Sequence, residues 1–268
     1  MTVHVTEPKP VHGDHVTLRR MTSLPVEPLV PRPEDVVQGT ISACPLAGVM
    51  VAMAHTRPAP LAAILGARIP EEAFGRRAGQ ALFSIWTAEH YVVRFRRGAP
   101  IKISPAVYFQ GPEVRYARTA TGAGWPGLIE KAYAVWRGHG SYNGLDKHKS
   151  LSPSPHAAMV LHDLAGNPPS MIDFPGNRYH HAQGGSAVLS ANHLTTMLGN
   201  ARLYPTIAAS IQGNAPHPVV PDHTYAVLGM SNQNQRVRLR NPWNGQGALL
   251  SLGLDQFRQK FEAVWQAR

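Results

Sequence analysis

From Pro45 to Ala54 the chain carries no polar side chain, and Leu46, Val49, Met50, Val51 and Met53 would reach nearly every side of a helix. A helix that is apolar all round must be covered on all sides by other elements. This one is therefore expected at the centre of the molecule. Pro45 suits a first helical position, where its missing N–H is unpaired anyway, which leaves Cys44, the only cysteine, at the helix N-terminus. The helix dipole and free N–H groups at that end favour an anion, so a thiol with a lowered pKa is expected. Gln38 stands six positions earlier in Gln38-Gly39-Thr40-Ile41-Ser42-Ala43-Cys44. A thiolate attacking a carbonyl creates an oxyanion, and a side-chain amide one loop before the nucleophile can donate to it.

Candidate partners for the thiol lie far downstream. His223 heads an apolar run, Thr224 to Met230, and Asn241 follows a second run, Arg236 to Arg240, with the polar Ser231-Asn232-Gln233-Asn234-Gln235 between them. Two strands joined by such a turn form a hairpin that brings His223 and Asn241 to one end. Cysteine, histidine and asparagine in that order make a papain-type site, with Cys44 as nucleophile, His223 as general base and acid, and Asn241 accepting the imidazole N–H opposite the working nitrogen. Taken alone, Cys44 reads as a small buried hydrophobe and Asn241 as a turn residue before Pro242; the combination favours the site. His180-His181 is the competing histidine pair and reads as solvated loop. No metal site is expected, since no His-Glu-x-x-His pattern occurs and one cysteine cannot assemble a thiolate zinc site.

At these residues the chain resembles the catalytic core of the calpains, cysteine proteases related to papain. Trp125-Pro126-Gly127-Leu128-Ile129-Glu130-Lys131-Ala132-Tyr133, leading to Gly140-Ser141-Tyr142, extends the likeness, and Trp243 is similar to the tryptophan that shields the histidine–asparagine bond in that family. Ser42 and Pro45 depart from it, standing where the family carries glycine and an aromatic residue. The resemblance implies an α+β, papain-like fold of two lobes, a helical one carrying Gln38 and Cys44 facing a β-rich one carrying His223 and Asn241. It implies a cysteine endopeptidase, a thiol protease acting on protein substrates through an acyl-thioester. The same triad can serve an acyltransferase, a transglutaminase or a glutamine deamidase, or survive in a catalytically silent protein-binding relative. No cofactor is implied, and no EF-hand loop pattern appears. The minimal architecture suggests a bacterial-type core, an effector or toxin.

The expected organisation is a proline-rich arm over 1–33, a helical lobe with the nucleophile over 34–149, and a β-rich lobe over 150–268, the boundary falling in Ser150-Leu151-Ser152-Pro153-Ser154-Pro155. Strands are expected at Ala81 to Trp86, Tyr91 to Arg96, Ile101 to Phe109 and Thr206 to Ile211, and helices at Trp125 to Arg137, Ala191 to Leu198 and Leu254 to Trp265. With 268 residues, 43% of them hydrophobic, the chain can bury a sizeable core. No run of about 18 apolar residues could span a bilayer, and Met1 to Arg20 has no apolar segment of a secretory signal. A reducing cytoplasm suits a free thiol; delivery into a target cell by a non-classical secretion system would leave the same sequence. The net charge of +10 comes from scattered residues with no nucleic-acid motif, so it favours an acidic inhibitor or substrate surface rather than specific nucleic-acid binding.

Overall fold

The apolar stretch forms helix α1 (Cys44–Thr56), buried from Cys44 through Ala54. The computed structural model describes residues 5–20, 31–65, 90–117, 124–146, 153–213, 218–231, 233, 235–243 and 248–268. Val49, Met50, Val51 and Met53 have no exposed surface, each such side chain contributing about 1.5–3 kcal/mol over its exposed state. Arg57, held out of the helical region by the following proline, ends α1, and α2 (Pro58–Ile64) starts at once.

Two small antiparallel sheets lie in the first half. Strands β1 (Thr17–Arg20), β2 (Tyr91–Val93), β3 (Ile101–Ile103), β4 (Ala106–Gln110) and β5 (Glu113–Val114) pair in the orders β1-β4-β5 and β2-β3. The single strand expected from Ile101 to Phe109 is broken because Pro105 has no N–H for a ladder, and the Ala106 N–H bonds Ser104 Oγ at 3.1 Å instead. The strand expected at Tyr91 to Arg96 stops at Val93, and the one expected at Ala81 to Trp86 lies outside the described residues. Helix α3 (Trp125–Trp136) buries Leu128, Ile129, Ala132 and Tyr133 completely, and the short α4 (Tyr142–Asp146) follows.

Helix α5 (Pro153–Ala165) begins inside the serine-proline stretch and packs on α1. It is locked to α3 by Asp163, a fully buried carboxylate that accepts from the Tyr133 hydroxyl at 3.0 Å and from Arg137 Nε and Nη2 at 2.8 and 2.6 Å. Neither α5 nor the strands β6 (Ser170–Asp173), β7 (Arg178–His180) and β8 (Ser186–Val188) was anticipated from the sequence. His180 ends β7 rather than lying in a loop, while His181 is exposed beyond it. Helix α6 (Ala191–Gly199), capped by Ser190 Oγ accepting the His193 N–H at 3.2 Å, leads to β9 (Thr206–Ser210), β10 (Thr224–Ser231), β11 (Arg236–Arg240) and β12 (Leu249–Gly253).

The C-terminal helix expected over Leu254 to Trp265 is shorter. Helix α7 (Leu254–Lys260) gives way to strand β13 (Phe261–Gln266), which lies between β9 and β6. Among the described residues this sheet is eight-stranded and antiparallel in the order β12-β11-β10-β9-β13-β6-β7-β8. Its central strands are covered on both faces: Ile207, Ala209, Ala226 and Trp265 pack with α1 and α5, while Ala208, Tyr225, Val227 and Val264 pack with α6 and α7. A strand buried on both sides reads as a continuous apolar run, which a helix can imitate over so few residues.

Candidate active site

The α1 N-terminus meets the sheet at the start of β10. Gly48 makes the approach close, since a Cβ there would stand 3.0 Å from Thr224 Cγ2. Cys44 is only 8% exposed, and both the backbone and the side chain of Thr224 act on its sulfur in the sense that favours the anion. Thr224 Oγ1 has no well-formed hydrogen bond elsewhere.

His223 directly precedes Thr224 and is 2% exposed. Its backbone is pinned by Ser210 Oγ, which accepts the His223 N–H at 2.9 Å and donates to the Val220 carbonyl at 2.7 Å. The turn before it uses Asp222 at φ 50°, a left-handed conformation that aspartate tolerates better than most residues. His223 Nε2 lies 2.9 Å from Asn241 Oδ1, which also accepts the Trp243 N–H at 2.9 Å. A peptide N–H can only donate, so the Asn241 atom is its oxygen and His223 Nε2 must carry the hydrogen. Nδ1 is thereby left as the basic nitrogen of the neutral ring. Trp243, 44% exposed as a residue, places its ring 4.7 Å from the imidazole, centroid to centroid.

Gln38 is buried, and its Nε2 donates to the Ile41 carbonyl at 2.9 Å, which fixes the amide orientation and leaves the nitrogen's second hydrogen uncommitted by that bond. Its backbone N–H donates to the Pro242 carbonyl at 3.0 Å. The Gln38 loop and the Asn241-Pro242-Trp243 segment are thus joined directly, and α1 delivers Cys44 against the residue next to His223. Ser210, Thr224 and Asp222 were not singled out in the sequence. A serine ending an apolar strand and an Asp-His pair after proline are weak signals by themselves.

Burial pushes the Cys44 thiol up to about 11; the Asp222 charge adds to the rise, and the Thr224 groups only partly offset it. The lowered thiol pKa expected from the helix N-terminus is therefore corrected: desolvation is the largest influence on the buried sulfur, and among the described residues no cation is prominent enough to outweigh it. Burial likewise brings His223 down to about 4, against the pull of Asn241 Oδ1. Both shifts favour the uncharged form, the thiol for Cys44 and the neutral imidazole for His223. Among the described residues no three histidine, cysteine, aspartate or glutamate side chains cluster as metal ligands would, and no helix is long and apolar enough to cross a membrane.

The chain is thus α+β, with a cysteine at the head of a buried helix and a bonded histidine–asparagine pair on the adjoining hairpin. The family model of the calpain family cysteine proteases matches residues 16–248, and the chain belongs to that family, which implies a papain-like fold and a cysteine peptidase class. No curated protein matches the chain.

Proposed function

We propose that the protein is a cysteine endopeptidase in which Cys44, His223 and Asn241 form the triad, Gln38 donates to the oxyanion and Trp243 shields the His223–Asn241 bond. The observation that carries this reading is the bond from His223 Nε2–H to Asn241 Oδ1, held by the Trp243 N–H, because it leaves Nδ1 basic on a residue adjoining the thiol's neighbour Thr224. As Sγ bonds the peptide carbonyl carbon, Nδ1 takes the thiol proton and then gives it to the departing amine as the C–N bond breaks. Water, deprotonated by the same nitrogen, then adds to the thioester carbon, and the proton passes to Sγ as the C–S bond breaks and the acid leaves. In this reading 34–149 and 150–268 are two lobes that meet at the site, with 1–33 as an arm on the first.

The test is mass spectrometry of a proteome incubated with the wild type or with Cys44→Ala. Cleavages present only with the wild type are expected; deamidated or cross-linked glutamines in their place would assign the acyl-thioester to deamidation or transamidation. The raised thiol pKa favours a second reading, a silent protein-binding relative. Covalent labelling of Cys44 by a peptidyl epoxide supports the protease, and absence of labelling supports the silent relative.

A further inference from the structure

Residues 5–14 precede the stretch that matches the family, 16–248, yet they are wired into it. Lys131 in α3 has no exposed surface; its ammonium donates to Ala106 O, Ser104 Oγ and Ser104 O at 2.7, 3.0 and 3.1 Å, and Glu7 supplies the countercharge while accepting the Ser104 N–H at 3.0 Å. A buried ammonium deprived of its carboxylate is strongly unfavourable, so this part of the arm is structurally integral.

Asp14 makes a further attachment, behind the Gln38 loop. Its carboxylate accepts from Arg115 Nη2 at 2.8 Å, from Arg115 Nε at 3.1 Å and from the Tyr116 hydroxyl at 3.1 Å, and Tyr116 Oη in turn accepts the Val11 N–H at 2.8 Å. The same two residues grip the loop through their backbones. The Arg115 carbonyl accepts both the hydroxyl and the peptide N–H of Thr40, at 2.9 and 3.3 Å. The Tyr116 backbone comes so near Gly39 that a Cβ there would stand 2.3 Å from its carbonyl carbon. Gln38 is the next residue along.

We propose that Asp14 is a positioning residue for the oxyanion donor: through Arg115 and Tyr116 it holds Gly39-Thr40, and so sets where the Gln38 amide stands when charge develops on the substrate oxygen. This rests on the donor role proposed for Gln38. Small displacements of an oxyanion donor cost turnover while leaving substrate binding almost intact.

The experiment compares the wild type, Asp14→Ala and the reciprocal pair Asp14→Arg with Arg115→Asp. Hydrogen exchange at the Thr40 amide is expected to accelerate in Asp14→Ala and to recover in the reciprocal pair. Peptide turnover is expected to fall about tenfold with KM within about twofold. Binding of acetyl-leucyl-leucyl-argininal, whose hemithioacetal oxygen mimics the oxyanion, should weaken in parallel. Alkylation of Cys44 by iodoacetamide, which creates no oxyanion on a carbonyl, should not change. Equal losses of alkylation and turnover would mean general damage to the site and overturn the inference, as would Thr40 exchange unchanged in Asp14→Ala. If the wild type neither cleaves peptides nor binds the aldehyde, the protease reading fails by itself, and Thr40 exchange still decides whether Asp14 holds the loop.

Discussion

Asn241 Oδ1 takes two hydrogen bonds, and the one from the Trp243 backbone determines the chemistry of the other, because it forces His223 to keep its hydrogen on Nε2. Burial opposes an ion pair at rest, holding the thiol up at about 11 and the imidazole down at about 4. The rate of Cys44 alkylation by iodoacetamide is accordingly expected to rise about tenfold per pH unit across the neutral range, following the thiolate fraction. A rate flat from acid to neutral pH would reveal a thiolate–imidazolium pair instead. Asp222→Asn removes a charge that raises the thiol pKa and should move this profile to lower pH. Gln38→Ala is expected to reduce turnover by roughly a hundred- to a thousandfold with a smaller effect on KM, the usual loss for one oxyanion donor; wild-type turnover in that variant would reduce Gln38 to a loop residue.

At the scale of elements, the site depends on how closely α1 can lie on β10, which Gly48 permits, and on what holds α1's neighbours in place. Asp163 is the principal polar tie between α3 and α5, and it is wholly buried with a bidentate arginine. Asp163→Ala would leave the Tyr133 hydroxyl and Arg137 without their acceptor, at a cost of about 3 kcal/mol, the lower end for a broken buried pair because Arg137 is part-exposed. Urea unfolding would measure it, and a loss within experimental scatter of the wild type would show that apolar packing alone fixes the two helices. The helix-to-strand change at Lys260–Phe261 has its physical origin at this scale too. Phe261 to Gln266 could not be told from a helical continuation until β9 and β6 are found on either side of it.

For the molecule as a whole, two buried groups set opposing dependences of stability on pH. Glu130 is raised from the usual 4.5 to about 7 by burial, against the Ala117 N–H bond at 2.6 Å. Between those values the unfolded chain holds fewer protons at this group, so its contribution to stability falls as pH rises. His223, lowered from 6.5 to about 4, does the reverse over nearly the same window. Each effect is of the order of 3 kcal/mol, and they largely offset one another. Glu130→Gln, whose amide oxygen can still accept the Ala117 N–H, should therefore make stability rise more steeply from about pH 5 to about pH 7, and His223→Ala should make it fall. Urea midpoints at the two pH values check both, and slopes unchanged from the wild type would refute the assignment of these groups. The sequence by itself determined the central helix, the β10–β11 hairpin and the residues that could carry the chemistry, because each is written in local signals: an all-apolar run, a polar turn between two strands, a glutamine one loop before a cysteine. Only the tertiary structure decided that β13 lies inside the sheet, that α5 and β6–β8 pack onto what precedes and follows them, that Ser210 bonds the His223 backbone and Thr224 meets Cys44, and that burial raises the thiol pKa. Strand pairing, desolvation and countercharge depend on residues that meet only when distant parts of the chain pack together.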